Sequence, residues 1–147
     1  MAKTNTGRCA YRTDTFEFDT NPNFIGVCRC VESKKASGSE AAPWFCVPEN
    51  DFNLISGVTR SYVADSGKRR KGIYARDAVR AYSRVTWKSF CQLVFVQFGS
   101  HDRPELIAPE LGIFMRRRPK FCLAEFSDMP TYSDLARYDF ANRRETA

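Results

Sequence analysis

Apolar and polar positions alternate along this chain in short stretches. Thr15 to Phe18 places Phe16 and Phe18 on one side of an extended backbone. Phe24 to Cys30 is a mainly apolar run entered from the turn signal Asn21-Pro22-Asn23, and Trp44 to Val47 lies between Pro43 and Pro48. Asn53-Leu54-Ile55 leads into Ser56-Gly57, and Val85 to Phe90 is followed by Leu93 to Phe98, the clearest apolar strand, which stops at Gly99-Ser100. Ile113 to Arg117 and Phe121 to Phe126 complete the set. Many short strands separated by Gly and Pro predict a mainly β domain. In two small packed sheets each sheet must cover one face, so Phe16, Phe18, Trp44, Trp87, Phe95 and Phe98 are expected inside.

Two stretches depart from this period. Tyr74, Ala78, Ala81, Tyr82 and Val85 recur at helical spacing, which predicts a short amphipathic helix over 73–84; a hairpin turning at Ser66-Gly67 competes with it, and the pattern does not separate them. Near the end, Thr131-x-x-Asp134 reads as a capping box opening a short C-terminal helix within 131–147, with Leu135, Tyr138 and Ala141 inward. With 147 residues the chain is expected to form a single domain.

Composition narrows the class. Hydrophobic residues make up 43% and there are twelve Phe, enough apolar surface for a packed core. No stretch approaches the roughly 18 apolar residues of a membrane span, and the start Met-Ala-Lys-Thr-Asn-Thr has no signal-peptide character, so a cytoplasmic protein is expected. The net charge is +6, from 23 Lys and Arg against 17 acids. Seven of those cations lie in two runs, 68–71 and 116–118; without them 16 cations face 17 acids, so any attraction to anions is local.

The chemistry centres on six cysteines. Without signs of export they are not read as a disulfide framework, and Cys46 and Cys122, inside apolar runs, are as readily buried thiols. The segment Cys28-Arg29-Cys30-Val31-Glu32-Ser33 is more informative. Two thiols at i and i+2 face one point if the backbone bends between them, and a third donor three residues on gives the layout of an open catalytic zinc site. Position 33 is serine, a poor zinc ligand, and Arg29 between the thiols is expected to favour thiolate while repelling a divalent metal. His101, the single histidine, follows the strong strand beside Asp102; a loop His beside an acid suits a general base but is more often a solvated turn residue. No nucleophile elbow, phosphate-cradling glycine loop or H-E-x-x-H helix is present.

The order Gly7-Arg8-Cys9-Ala10-Tyr11, then Cys28-Arg29-Cys30 with Ser33-Lys34-Lys35-Ala36-Ser37-Gly38, then Phe90-Cys91-Gln92-Leu93-Val94, resembles the glutathione-dependent formaldehyde-activating enzyme family, which includes the centromere protein V group. Phe114-Met115-Arg116-Arg117-Arg118-Pro119 is similar to that family's apolar strand running into a basic residue and proline. The resemblance covers roughly residues 7–130, with an apparent insertion at 64–84, and implies a small β-rich domain of the Mss4-like type. It also implies a structural zinc on four cysteines and a catalytic zinc on three. Here only Cys9 and Cys91 remain of the first set, with Tyr11 and Val94 in the other two places, and Cys28 and Cys30 remain of the second, with Ser33 in the third. The expectation is no cofactor or weakly bound zinc.

On function, the resemblance implies a carbon–sulfur lyase acting on an adduct of a thiol such as glutathione with an aldehyde. With the ligands eroded, metal-free proton transfer, dehydration or ring closure is expected instead. Cys28 or Cys30 would act as thiolate, with Arg29 and Ser33 in the catalytic set and Lys34 and Lys35 holding an anionic substrate such as glutathione. The alternative is a binding module for nucleic acid or a protein partner, using the runs 68–71 and 116–118 on phosphates with Tyr74, Tyr82 and Trp87 stacking on bases.

Overall fold

In a computed structural model of the chain, strand β1 (Asn5–Arg8) pairs antiparallel with β2 (Thr15–Phe18), the alternating stretch read from the sequence, with Phe16 and Phe18 buried. The structure describes residues 4–10, 12–19, 21–63, 69–73, 82–85, 92–122, 128–134, 138–139 and 144–145; for 59–63, 69–73, 82–85, 138–139 and 144–145 it describes the backbone. Tyr11, Trp87 and Cys91, and most of the expected strands 85–90 and 121–126, lie outside the described residues.

The elements that follow are β3 (Phe24–Cys28), helix α1 (Val31–Ser37), β4 (Ala42–Pro48), β5 (Phe52–Ser56), β6 (Thr59–Val63), β7 (Arg69–Ile73), β8 (Tyr82–Val85), β9 (Leu93–Gln97), β10 (Leu111–Ile113), β11 (Tyr138–Asp139) and β12 (Arg144–Glu145). They build a three-stranded sheet, β1-β2-β5, and a seven-stranded sheet, β10-β3-β4-β9-β8-β7-β6, antiparallel except for the β10–β3 pair. The expected β-rich fold with two principal sheets is what forms. Phe16 and Phe18 meet Ile25, Phe45, Val47, Val94 and Val96 between the sheets, a first core; each fully buried Phe or Val contributes about 1.5–3 kcal/mol.

The other face of the large sheet carries a second core: Phe24 and Cys28 from β3, Ala42, Trp44 and Cys46 from β4, Leu93 from β9, and Leu111 and Ile113 from β10. Cys30, Ala36, Phe95, Phe114 and Tyr132 pack against it. Both faces of β3 and β4 are therefore covered, which is why their sequences read as apolar runs instead of alternating ones. Phe95 and Phe98 are half-buried, less deep than their pattern suggests. The apolar run at 113–117 does not continue as a strand: β10 stops at Ile113, Phe114 takes a left-handed backbone (φ 56°), and Met115–Arg117 forms a single 3-10 turn.

Two ambiguities resolve. β6 and β7 pair across the Ser66-Gly67 segment and β7 pairs with β8, so the hairpin reading holds there and Tyr82–Val85 is strand, not the end of a helix; residues 74–81 lie outside the described ones. These three strands, which include described parts of the apparent insertion, extend the large sheet beyond β9. The short helix of the fold is α1, whereas the expected C-terminal helix is a correction: Tyr138–Asp139 and Arg144–Glu145 pair as antiparallel strands. The residues of the expected capping box are used elsewhere, since Thr131 bridges to Gly112 in β10 and Asp134 accepts from Arg116 Nε at 2.8 Å. Among the described residues no helix is long and apolar enough to cross a membrane.

His101 is a second correction, being neither solvated nor placed as a general base. It is 5% exposed, its ring lies against Phe18 and Phe45 at 5.8 Å, and its Nδ1 accepts the Arg103 N–H at 3.0 Å. Asp102 instead binds Arg8 and Thr6 on β1, so the pair fastens the loop after β9 onto the small sheet. Burial pushes the His101 pKa below its ordinary 6.5. The unfolded chain therefore takes up a proton that the folded one refuses, and stability present above pH 6.5 is lost as pH falls toward the folded value. The melting temperature is expected to drop on going from pH 6.5 to 5, and His101→Phe to flatten that slope; an unchanged slope in the variant would show that His101 is not its source.

Candidate functional site

The candidate site is built where β3 ends and α1 begins. Cys28, the last residue of β3, is 7% exposed and points into the second core. Cys30 caps α1: its backbone is extended (φ −66°, ψ 158°), and its sulfur accepts the Ser33 N–H at 3.2 Å. A thiol at this position takes the role usually given to Ser, Thr, Asp or Asn. The Cys30 N–H points to Cys28 Sγ at 3.4 Å, and Ser33 Oγ lies 3.1 Å from Cys30 Sγ. The helix closes on Gly38, whose φ of 67° suits glycine and lets its N–H reach the Lys34 carbonyl at 2.8 Å. Cys28, Cys30 and Ser33 are thus brought together, as their spacing predicts.

The two thiols differ. The hydrogen bond to Cys30, burial and the charge on Cys30 push the Cys28 pKa far up, so Cys28 stays a neutral thiol. Cys30 is lowered to about 6, first by the hydrogen bond from Cys28, then by the Ser33 hydroxyl and N–H, against the opposing effects of burial and of Glu32. With the Ser33 N–H donating to its sulfur and the Cys28 thiol and Ser33 hydroxyl beside it, Cys30 is the more acidic thiol of the pair.

Arg29 does not supply the cation expected between the thiols. Arg29 is 1% exposed, and its guanidinium forms a two-point pair with Glu40, Nε to Oε2 at 2.9 Å and Nη2 to Oε1 at 3.0 Å. Nη1 contacts Met115 Sδ at 2.9 Å, Nη2 lies 3.5 Å from Cys122 Sγ, and the Cys122 thiol donates to Glu40 Oε1 at 3.0 Å. Since Arg29 and Glu40 stand on either side of α1, this pair ties together the ends of the segment that presents Cys30 and Ser33. The Arg29 charge is spent on Glu40, which holds Glu40 below the usual carboxylate range. Arg29 is a positioning residue in this geometry. Cys122 is half-buried in the same cluster, while Cys46 is fully buried in the second core.

Lys34 sends its ammonium to the Arg117 carbonyl at 2.6 Å, joining α1 to the turn after β10, and Lys35 is exposed in the last turn of α1. Of the basic runs, Arg69–Lys71 forms part of β7, Lys68 lies outside the described residues, and Arg116 is paired with Asp134. Glu40, Met115 and Cys122 escape the sequence reading because they are far from the motif along the chain. Glu40 alone carries a signal, as an acid just past the Gly38 stop of a helix preceded by arginine.

Neither zinc site that the resemblance implies has its full set of cysteines in this sequence. At the first, Cys9 is buried, accepts the Asp14 N–H at 3.4 Å and shares the first core with Val94, which fills the place of one ligand; Tyr11 and Cys91 lie outside the described residues. At the second, the donors are two thiols and a hydroxyl bonded among themselves, and a serine hydroxyl is a poor zinc ligand. Three strong protein ligands are what an open catalytic zinc needs. Among the described residues no group of three His, Cys, Asp or Glu is placed to hold a metal ion.

Comparison with known proteins supports the resemblance. Residues 4–117 match the family described as glutathione-dependent formaldehyde-activating enzyme, a span holding Cys9, Cys28, Cys30, Ser33, Arg29 and Glu40 but not Cys122. No curated protein matches the chain.

Two outcomes follow from this geometry. Alkylation of Cys30 by iodoacetamide should rise through about pH 6, not through the ordinary thiol value of 9.0, and Cys30→Ser should abolish that phase in a mass-resolved rate profile. Of the buried pair, Glu40→Ala is expected to cost about 3–5 kcal/mol because it strands the Arg29 charge, whereas Arg29→Met leaves a carboxylate that reaches water and should cost less. Chemical denaturation of both variants tests that order.

Proposed function

The chain belongs to the glutathione-dependent formaldehyde-activating enzyme family, and from that premise we propose that it makes and breaks carbon–sulfur adducts between a thiol and a carbonyl compound without a bound metal. The single observation that carries this reading is the Cys30 sulfur, which accepts the Ser33 N–H at 3.2 Å with Cys28 and the Ser33 hydroxyl beside it, surroundings that lower its pKa to about 6. Such a sulfur has a proton affinity near working pH, which suits general acid–base exchange.

In the cleavage direction the Cys30 thiolate accepts the hydroxyl proton of the adduct, HO–C–S. The C=O bond forms as the C–S bond breaks, the sulfur leaves with the bonding pair, and it recovers the proton from Cys30. Addition runs through the same steps in reverse, so the site ends as it began, with no oxidant and no net proton change. Cys28 and Ser33 hold the charge on Cys30 between steps. Lys35, exposed on α1 beyond Ser33, is the residue proposed to meet an anionic thiol such as glutathione, with Lys34 assisting from the Arg117 carbonyl it already holds. The alternative of nucleic-acid binding gains no specific observation, since Arg116 is engaged by Asp134.

Exchange between a thiol and an aldehyde, followed by NMR line broadening, tests the reading. Cys30→Ser is expected to lower the exchange rate more than about tenfold, the low end of an acid–base contribution. Ser33→Cys separates this chemistry from a metal-dependent one: the rate should stay flat or fall, even with zinc added. A zinc-dependent gain in Ser33→Cys, or an unaffected Cys30→Ser, would overturn the proposal.

A further inference from the structure

Cys28 and Cys30 stand two residues apart where β3 ends. Two residues of chain span at most about 7 Å, so their Cα atoms lie at or within the upper limit for a disulfide. Strand alternation brings both side chains to one face: Cys28 belongs to the second core and Cys30 packs against it, while Arg29 between them turns to Glu40. The Cys28 sulfur accepts the Cys30 N–H at 3.4 Å, which holds it against the residue that carries the other thiol.

The two thiols differ in access. Cys28 is buried, whereas Cys30 is half-buried, and its sulfur accepts the Ser33 N–H at 3.2 Å. A donor aimed at the sulfur favours thiolate, the form that attacks peroxides. An accessible sulfur of this kind beside a second, sheltered thiol is the arrangement of a reversible oxidation site. Among the described residues no other cysteine is placed as the second thiol. Cys46 pairs with Phe24 on β4, four residues from Ala42, the partner of Cys28, and so about 13 Å along the strand. Cys122 donates to Glu40, on the side to which Arg29 turns, and Cys9 lies in the first core.

We propose that Cys28 and Cys30 form a reversible disulfide on exposure to a hydroperoxide, and that the bridge switches the Cys30 site off. This adds regulation to the reading given above and rests on it only for the activity that is lost. The Cys30 thiolate attacks the terminal peroxide oxygen; the S–O bond forms, the O–O bond breaks, and hydroxide or alkoxide leaves. The sulfur is thereby oxidised by two electrons to a sulfenic acid. The Cys28 sulfur then attacks it: the S–S bond forms, the S–O bond breaks, and the departing hydroxide takes the Cys28 proton to become water. Two external thiols reverse the change by exchange and leave as their own disulfide. A bridged sulfur has no charge to accept a proton, and the Ser33 N–H is left facing a neutral atom, so the base of the site and the cap of α1 weaken together.

Treatment of the full chain with a stoichiometric amount of hydrogen peroxide, trapping of free thiols and tryptic digestion test the bridge directly. Trypsin cuts after Arg29, so the disulfide joins peptide Thr13–Arg29 to peptide Cys30–Lys34, two hydrogens lighter than their sum. The joined pair is expected in the unaltered protein and should vanish on reduction. In Cys28→Ala, Cys30 should instead advance to sulfinic acid; if that variant does not fold, the unaltered protein decides alone. Cys30 oxidised to sulfinic acid with Cys28 still a free thiol, a bridge to a different cysteine, or a Cys30 that resists excess peroxide would refute the proposal. Thiol–aldehyde exchange is a separate readout: the bridged chain should lose more than about tenfold in rate and regain it after reduction and desalting. A bridge that forms while exchange stays unchanged would count against the Cys30 chemistry and not against the disulfide.

Discussion

The buried Arg29–Glu40 pair is the constraint on which the site depends. The connection from β3 through α1 into β4 has to leave a sheet and re-enter it within the span 29–41, and the pair fastens its two ends with two parallel N–H···O bonds. A buried ion pair is a weak source of net stability, because the desolvation of both charges offsets most of their attraction. What it supplies is registry: a planar guanidinium matched to a carboxylate accepts one arrangement and rejects near neighbours. Met115 and Cys122 complete the ring around Arg29, so the turn after β10 is located by the same group.

From that constraint the chemistry of the thiols follows. With the ends of α1 fixed, the cap position at Cys30 is fixed, and an acceptor there must receive the Ser33 N–H. Serine at 33 then has a dual role that a third cysteine would not fill in the same way. Its hydroxyl stabilises a negative sulfur without competing for the proton, whereas a second thiol at that distance would share it. The serine at 33, where the resemblance implies a cysteine, thus goes together with the lowered pKa of Cys30. Arginine at 29 fits the same scheme, since its guanidinium is paired with Glu40 and not with the thiols that flank it in sequence.

Much of the fold was legible because its signals are local. Phe16 and Phe18 alternate, Trp44 to Val47 is bracketed by prolines, Leu93 to Gln97 is apolar and β-branched, and each became a strand. The convergence of Cys28, Cys30 and Ser33 was legible from spacing. The C-terminal stretch was misread because a capping pattern says only that a helix is affordable; Thr131 and Asp134 found tertiary partners in Gly112 and Arg116 that a local rule does not see. His101 was misread for a related reason. Its place in a loop beside an acid suggested a general base or a solvated turn residue, but the aromatic pair that buries it comes from β2 and β4, more than fifty residues away along the chain.

Arg29 is the most instructive error, since the residue was singled out correctly and given the wrong partner. Position alone placed a cation between two thiols. The backbone, though, leaves β3 in extended geometry, where successive side chains take opposite sides. Cys28 therefore enters the second core, Arg29 departs from it toward Glu40, and Cys30 returns to cap α1. Reading the alternation through residue 30, instead of stopping at the end of the apolar run, separates the arginine from the sulfurs by strand geometry alone. It also leaves the cation in need of an acid, and Glu40, the first carboxylate beyond the Gly38 stop, is the nearest one that the chain offers on the far side of the helix.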